Sequence, residues 1–303
     1  MEAIYVEGLT KKFGRTYAVR DATFYVKRGS VTALLGPNGA GKTTTIKVLL
    51  GLLRPNSGRV RVLGMDPWTE GVEVRRSVGV LHERPVYPRG FRVRDLLRYV
   101  AKLRDLGTES VDRALSLTGL KEYGNTKVSA LSRGYLQRLG LAVAIMGDPE
   151  VLLLDEPTAN LDPAARMEIL DLISLLSKEL DVTVLVSSHI IPELERICDH
   201  AILISRGRVV EQGSLQELAE RHGGAVVLEV KVGEPRGLAS ELISMEGVIG
   251  VEIVDGGLLV KLGSHRMKDI EEELVSRGLP VRFRTSSLQD IYTKVVVNAQ
   301  VSS

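Results

Sequence analysis

The sequence has few of the residues that specialised disulfide, zinc or base-stacking proteins require. It contains one cysteine, Cys198, which excludes a disulfide framework and is typical of a reducing compartment. The five histidines show no metal-ligand spacing, and a single cysteine cannot complete a zinc site with them. Aromatic residues make up 4% of the chain, which argues against a surface that stacks nucleic-acid bases.

Long apolar runs and an excess of one charge are also missing. No uninterrupted apolar segment approaches the roughly 18–20 residues of a membrane helix, so we expect transport, if any, to use a separate membrane subunit. Forty basic and 38 acidic residues give a net charge of +2, which provides no general attraction to nucleic acid or lipid. We therefore predict no nucleic-acid partner. With 303 residues, 44% of them hydrophobic, the chain is long enough for two domains.

A glycine-rich segment after a short apolar run is the most informative part of the chain. It fits the pattern G-x-x-x-x-G-K-[ST], in which backbone N–H groups surround an anion. The run 31–35 predicts a buried strand, and 43–50 predicts a helix whose N-terminus favours a phosphate. An ordinary glycine-rich turn is the alternative. The candidate nucleotide-binding residues are Gly36, Pro37, Asn38, Gly39, Ala40, Gly41, Lys42, Thr43 and Thr44.

The chemistry of this segment indicates ATP or a related triphosphate together with Mg²⁺. Lys42 is placed to reach the β- and γ-phosphates, and the Thr43 hydroxyl is placed to bind the metal ion. Farther along, the apolar run 151–154 predicts a buried strand that ends in Asp155 and Glu156. Successive strand side chains point to opposite faces, so the two carboxylates need different roles. One can hold Mg²⁺, and the other can orient and deprotonate an attacking water. A solvated acidic strand end is the alternative.

Three more segments complete an ordered set of motifs. Leu131-Ser132-Arg133-Gly134 opens a helix, a loop containing Leu161-Asp162 follows the acidic strand, and His189 follows an apolar strand at 183–187. Over about residues 2–220 this order resembles the ATP-binding cassette (ABC) family. The resemblance implies an α/β fold, the P-loop NTPase cassette, with a mixed sheet core and a helical insertion at about 84–147. It also implies a dimeric ATPase.

The resemblance assigns a role to each motif. It makes Glu156 the catalytic base and His189 the residue that bonds the γ-phosphate and orients Glu156, and it gives Asp155 to Mg²⁺. The LSxG helix of one subunit, through Ser132 and Gly134, would bind the γ-phosphate held by the other subunit. Ser132 can cap the helix, and glycine permits close backbone approach. A simple amphipathic helix and a structural histidine are the alternatives.

The chain departs from the family pattern at several positions. Arg133 and Tyr135 replace a glycine and a glutamine, as in a subgroup of drug, lipid and ion exporters. Glu83 replaces the glutamine of the segment called the Q-loop, and its carboxylate remains a suitable Mg²⁺ ligand. Phe13 matches the aromatic residue that stacks on adenine. Tyr17 competes for that role, and a core aromatic on a short edge strand is the alternative for Phe13.

The insertion begins with a cluster of basic residues. Either it is a solvated face, or, as the resemblance implies, it grips an acidic cytoplasmic loop of the membrane partner. The cluster comprises Arg84, Arg89, Arg92, Arg94, Arg98, Lys102 and Arg104.

The first domain is expected to span 1–222, and a smaller one 225–303. A capping box at 214–217 predicts a closing helix, and Gly223-Gly224 predicts a hinge. Beyond it, alternating patterns predict the order β-α-β-β-α-β, a ferredoxin-like α+β domain, with a hairpin turn at 255–257 and a final helix capped by Ser287. The tail resembles that of daunorubicin-type multidrug exporter ATPases. We see no catalytic residues there and expect dimerisation or regulation.

These observations predict an ATP-hydrolysing subunit of a membrane ABC transporter, with an exporter favoured. It would act as a homodimer, or with a related ATPase subunit, on separate permease subunits at the cytoplasmic face of the membrane. A soluble regulatory ATPase is the alternative. Cassette ATPases that act on DNA or ribosomes generally carry coiled-coil insertions, zinc modules or two cassettes, and the sequence has none of these.

Overall fold

The computed structural model describes residues 1–222, 226–254, 256–262, 267–284 and 288–297. These residues form two compact units, Met1–Gln212 and Gly213–Ser303. No helix within the described ranges is long and apolar enough to cross a membrane.

The first unit opens with an antiparallel sheet of three strands. These are β1 (Glu2–Phe13), β2 (Thr16–Lys27) and β4 (Ser57–Val62), in the order β2-β1-β4. Their inward side chains, including Ile4 and Phe24, are fully buried in the main core. The same core takes in Leu153 and Leu185 of a second sheet, so the core lies between the two.

The second sheet has six strands in the order β5-β6-β7-β3-β8-β9. Their ranges are β3 (Val31–Leu35), β5 (Val78–Leu81), β6 (Val151–Asp155), β7 (Thr183–Ser188), β8 (His200–Ser205) and β9 (Arg208–Ser214). Strands β5, β6, β7, β3 and β8 pair in parallel. Every residue of β3, β6 and β7 is buried, as expected for central parallel strands. Because these strands are parallel, their carboxyl ends meet at one edge of the sheet. The parallel sheet and the antiparallel sheet together confirm the predicted mixed α/β fold.

Helices flank this sheet and fill the connection between β5 and β6. In chain order they are α1 (Lys42–Leu49), α2 (Gly71–Ser77), α3 (Val93–Leu103), α4 (Glu109–Leu117), α5 (Arg133–Ile145), α6 (Pro163–Glu179) and α7 (Ile191–Leu194). Helices α3 to α5 occupy the segment where the sequence predicts a helical insertion. Asp162 caps α6 through the N–H of Ala165, with Pro163 at its first position.

The second unit contains a separate antiparallel sheet with its own core. Its elements are α8 (Leu215–Arg221), β10 (Val226–Lys231), α9 (Pro235–Leu242), β11 (Val248–Val254), β12 (Gly257–Leu262), α10 (Met267–Ser276), β13 (Val281–Arg284) and α11 (Leu288–Tyr292), followed by a π-helical turn, Thr293–Val297. The strand order is β11-β12-β10-β13. Leu228, Val260 and Leu274 are among the residues of its core. The elements from β10 to β13 follow the predicted order β-α-β-β-α-β.

The predicted capping box at the start of α8 is present. Ser214 Oγ accepts from the N–H of Glu217, whose side chain accepts from the N–H of Ser214. This helix belongs to the second unit, where it packs with α11, and Lys294 Nζ donates to His222 O over 3.3 Å. The structure thus divides the chain before α8, whereas the sequence suggests a division after it. The Gly223-Gly224 hinge, Asp255 of the turn and the Ser287 cap lie outside the described residues.

Candidate nucleotide-binding site

The connection from β3 to α1 is a tight loop in which glycine is required at two positions. Gly41, the N-cap of α1, has φ = 107°, and a Cβ there would lie 2.4 Å from Ala18 O. A Cβ at Gly36 would lie 2.3 Å from Ile204 O. Contacts this short force the backbone apart, so a side chain at either position would distort the loop.

Lys42 is buried at the mouth of this loop. Its Nζ donates to Gly36 O over 2.7 Å and to Pro37 O over 3.2 Å, and it lies 3.1 Å from Glu156 Oε1. Only 6% of its side chain is exposed. A buried ammonium with three oxygen partners can exchange them for phosphate oxygens with little rearrangement of its own chain.

Asp155 is held from two sides at the end of β6. Its Oδ1 accepts from Thr43 Oγ1 over 3.2 Å and from Ser187 Oγ over 2.8 Å. Asp155 and Ser187 are register partners on the parallel strands β6 and β7, which explains their proximity. The structure therefore brings the Thr43 hydroxyl and the Asp155 carboxylate together, two oxygen groups of the kind that bind Mg²⁺.

Glu156 follows the strand in a different environment. Its backbone is left-handed, with φ = 50°, a conformation that costs a non-glycine residue free energy and is concentrated at functional sites. Oε1 faces Lys42, and Oε2 lies 2.8 Å from His189 Nδ1. Asp155 and Glu156 thus have separate side-chain partners, in line with the opposite orientations expected from the strand.

The loop and Glu156 line a cleft of about 240 Å³. Its lining residues are Ala18, Asn38, Gly39, Ala40, Gly41, Lys42, Thr43, Thr44, Glu83 and Glu156. Glu83 therefore lies beside this loop, the phosphate loop (residues 36–41). Arg84 Nε lies 3.4 Å from Glu83 Oε1.

Ser132 and Gly134 line a different depression in the same chain. Ser132 caps α5 by accepting from the N–H of Tyr135 over 3.4 Å. This depression is lined by the start of α5 and by residues 160–168, and Lys42 is not among its lining residues. Within one chain, Ser132 and Gly134 therefore do not line the cleft at the phosphate loop.

The comparisons with known proteins decide the family. The ABC transporter family model matches residues 19–159. The bacitracin transport ATP-binding protein BcrA of Enterococcus faecalis is 34% identical, over 97% of this chain and 96% of the relative. The Nod factor export ATP-binding protein I of Rhizobium sp. (strain N33) is 32% identical, over 97% and 96%. This chain belongs to the ABC transporter family. It is an ATP-binding subunit, and ATP hydrolysis is the characteristic activity of these cassettes.

A solved structure agrees with this assignment. The protein cbiO1 from Clostridium perfringens, part of the ABC transporter complex cbiONQ, superposes on this chain with a TM-score of 0.66 at 31% identity. The match covers 72% of this chain and 90% of the other. The P-loop NTPase cassette fold predicted from the motifs is therefore confirmed.

The two candidate adenine-stacking residues of the cassette are both at the surface. Phe13, at the end of β1, is 51% exposed, and Tyr17, near the start of β2, is 41% exposed. Lys11 Nζ lies 5.3 Å from the Phe13 ring centroid, and Lys12 Nζ lies 4.2 Å from that of Tyr17. The interpretation of Phe13 as a core aromatic on a short edge strand is wrong, because β1 has 12 residues, pairs on both sides and leaves this ring in solvent.

The basic cluster of the insertion is not one continuous face. Arg92 donates to Asn125 O, Arg94 pairs with Asp112, and Arg104 Nη1 donates to Met146 O. Burial lowers the pKa of the Arg104 guanidinium. These side chains hold the insertion together. Arg98 and Lys102 are exposed. Arg84 and Arg89 are also exposed, and they line a neighbouring cleft of about 560 Å³ with Arg133 and Gln137; Glu83 lines both this cleft and the one at the phosphate loop.

Ser187 is the site residue that the sequence reasoning missed. It is fully buried, its Oγ donates to Asp155, and it accepts from the N–H of Glu156 over 3.0 Å. The available signal was positional, because a hydroxyl at the end of one parallel strand lies beside carboxylates that end its neighbour.

The oxygen groups at the loop fit a magnesium ion that is bound mainly by a nucleotide. Within the described parts of the chain, no three His, Cys, Asp or Glu side chains form a cluster that could hold a metal alone. Mg²⁺ with nucleotides needs only one or two protein ligands, because phosphates and waters supply the others. Thr43 and Asp155 meet that requirement, with Glu83 lining the same cleft.

Proposed function

We propose that this chain is the ATP-hydrolysing subunit of an exporter, working as a dimer on separate membrane-spanning subunits at the cytoplasmic face. One observation carries the proposal: Glu156 lies between Lys42 and His189 at the mouth of the phosphate loop. The names of BcrA and the Nod factor protein, which refer to bacitracin transport and Nod factor export, support an export role.

The loop would bind the triphosphate through its backbone N–H groups and Lys42. When ATP enters, the Lys42 ammonium would exchange the Gly36 and Pro37 carbonyls for β- and γ-phosphate oxygens. Phe13 would stack on the adenine. Thr43, Asp155 and Glu83 would hold Mg²⁺, which neutralises phosphate charge when bound.

Hydrolysis then needs one proton acceptor and one oriented water. Glu156 would accept a proton from the water while the water oxygen forms a bond to the γ-phosphorus. The bond between the γ-phosphorus and the β,γ-bridging oxygen would break at the same time. The products are ADP and inorganic phosphate. His189, bonded to Glu156 through Nδ1, would fix the carboxylate and contact the γ-phosphate.

A second subunit would complete each site. Ser132 and Gly134 lie in a depression separate from the phosphate loop, at the N-terminus of α5, a 13-residue helix. Its free N–H groups and dipole favour an anion. The simplest arrangement pairs the start of α5 in one subunit with the γ-phosphate held by the other.

The exposed arginines beside Glu83 are the proposed docking surface for the membrane partner. Arg84, Arg89 and Arg133 supply positive charge, and the buried Gln137 Oε1, which lines the same cleft, lacks a hydrogen-bond partner in the described structure. An acidic cytoplasmic loop with an N–H or O–H donor would match both features.

Purification of the tagged chain from detergent-solubilised membranes tests the function. We expect a polytopic membrane protein to co-purify, and we expect its presence to change the rate of ATP hydrolysis. Glu156→Gln is the control, since it should retain the partner and lose hydrolysis. An active ATPase that binds no membrane protein would favour the soluble regulator instead.

A further inference from the structure

A serine hydroxyl connects the Asp155 carboxylate to the backbone of Glu156. Ser187 Oγ donates to Asp155 Oδ1 over 2.8 Å and accepts from the Glu156 N–H over 3.0 Å. Asp155 Oδ1 also accepts from Thr43 Oγ1. The hydroxyl therefore contacts Asp155 and the Glu156 backbone directly, and Thr43 is linked to it only through Asp155.

The hydroxyl has no substitute at this position. Ser187 is 0% exposed, so a water molecule cannot reach its place without movement of the strands. The Glu156 N–H has a second acceptor in Ser187 O, at 3.2 Å, whereas Asp155 Oδ1 would keep only the longer contact from Thr43. Loss of the hydroxyl should therefore affect Asp155 more than Glu156.

The three residues before Ser187 carry no side-chain polar group. The residues Val184, Leu185 and Val186 of β7 are apolar and fully buried, and they need no polar partner. A buried serine gains less from burial than valine would and requires hydrogen bonds to offset its desolvation. Its side chain donates to the Asp155 carboxylate and accepts from the Glu156 backbone N–H.

We propose that Ser187 is a positioning residue that fixes the Asp155 carboxylate for Mg²⁺ and steadies the left-handed backbone of Glu156. This inference rests on the proposed function of the site. Ser187 does not touch the nucleotide in this scheme, because it acts through Asp155.

The test compares Ser187→Ala with Ser177→Ala in the full chain. Ser177 lies on α6, away from the carboxylates, and its buried hydroxyl donates to Val182 O. Its replacement therefore controls for the loss of one buried hydroxyl. We expect Ser187→Ala to weaken binding of Mg·ATP about tenfold or more, the scale of a lost bond to a charged group, and to leave binding of ATP in EDTA unchanged. Calorimetry gives both affinities, and Ser177→Ala should change neither.

Hydrolysis and a double-mutant cycle identify the route. Ser187→Ala should lower kcat and raise the Mg²⁺ concentration for half-maximal activity. In an Asp155→Asn background the further loss of Mg·ATP affinity should shrink to less than about twofold, because coupled residues are non-additive. Additive losses would overturn the route through Asp155.

The outcomes separate the inference from the function beneath it. A folded Ser187→Ala protein with wild-type Mg·ATP affinity and wild-type Mg²⁺ dependence overturns the inference. If Ser187→Ala fails to fold, Ser187→Cys, which keeps a weak donor of similar size, should show an intermediate loss, and wild-type values for it would overturn the inference equally. A wild-type chain that neither binds nor hydrolyses Mg·ATP overturns the proposed function itself.

Discussion

Glu156 differs from the neighbouring Asp155 in backbone conformation and in partners. Its φ of 50° turns it away from the strand, toward Lys42 and His189. A carboxylate between a lysine and a histidine can accept a proton and release it again, whereas Asp155 is bonded to two hydroxyl groups. These differences support the proposal that Glu156 is the general base and Asp155 the metal ligand.

Replacement of Glu156 by glutamine tests that assignment. The amide keeps the shape and can still bond to His189, but it cannot take a proton. We expect hydrolysis to fall by ~10²–10⁴ while Mg·ATP affinity stays near wild type. Steady-state phosphate release and calorimetry measure the two quantities. Activity above about a tenth of wild type would exclude Glu156 as the base.

Replacement of Lys42 should affect an earlier step. Lys42→Ala removes the ammonium that is placed to meet the β- and γ-phosphates, so ATP affinity itself should fall, by about tenfold or more. Lys47→Ala is the matched control, because Lys47 lies on the same helix with an exposed side chain. Equal affinities for the two variants in a binding assay would contradict the placement of Lys42.

At the scale of single elements, the sequence predicts the strands and helices that carry the site but not the contacts between neighbouring strands. The strand at 31–35, α1 and the Ser132 cap of α5 were predicted from patterns that need no distant partner. The bond from Ser187 to Asp155 was not, because it depends on the register of two strands whose partner residues are 32 positions apart. Local patterns carry no information on such pairing.

Helix boundaries show the same limitation on a smaller scale. The sequence pattern after the first strand of the second domain predicts a helix at 238–245, whereas in the structure this helix begins at Pro235 and ends at Leu242. Proline at a first helical position was the overlooked signal. The assignment of the second unit to a ferredoxin-like fold stays a prediction, although its element order is the expected one.

Replacement by alanine should affect hydrolysis at one glycine of the cassette and ATP affinity at another. A Cβ at Gly134 would meet only Ala165 Cβ, at an ordinary 3.6 Å, and alanine favours a helix by ~0.5–1 kcal/mol. Gly134→Ala should therefore leave the melting temperature and the ATP affinity unchanged. It should still lower hydrolysis, because the added methyl group would crowd the phosphate that the second subunit holds against this helix. Gly41→Ala should lose ATP affinity in a single chain, given the clash with Ala18 O. Unchanged hydrolysis by Gly134→Ala would argue against close approach of a phosphate to this helix.

At the scale of the whole molecule, the division into two units implies a division of labour. Every side chain assigned to phosphate, metal or proton transfer lies between Phe13 and His189, within the first unit. The sequence placed the boundary after the capped helix α8 because a cap marks where a helix begins and does not show which core the helix joins. The structure assigns α8 to the second unit.

Removal of the second unit tests the division. A chain ending at Ser214 keeps all of β9 and should fold and bind Mg·ATP with an affinity near that of the full chain. Its rate of hydrolysis is free to change, since we propose dimerisation or regulation for the second unit. Circular dichroism and calorimetry provide the readouts, with Lys42→Ala in the same truncated chain as the control. A folded truncated protein that cannot bind ATP would refute this division.

The shared site makes a prediction that only a dimer can satisfy. Neither Lys42→Ala nor Ser132→Arg should hydrolyse ATP efficiently alone, because each breaks both sites of its homodimer. In the mixed dimer, one site carries both defects, and the other pairs an intact Lys42 with an intact Ser132. Mixing should therefore raise phosphate release above that of either variant, while sites complete within one chain would give only the average of the two. Two different affinity tags establish that heterodimers form. If they form and activity stays at the average at every ratio, the start of α5 does not complete the partner's site, and the separation of Ser132 from Lys42 within one chain needs another explanation.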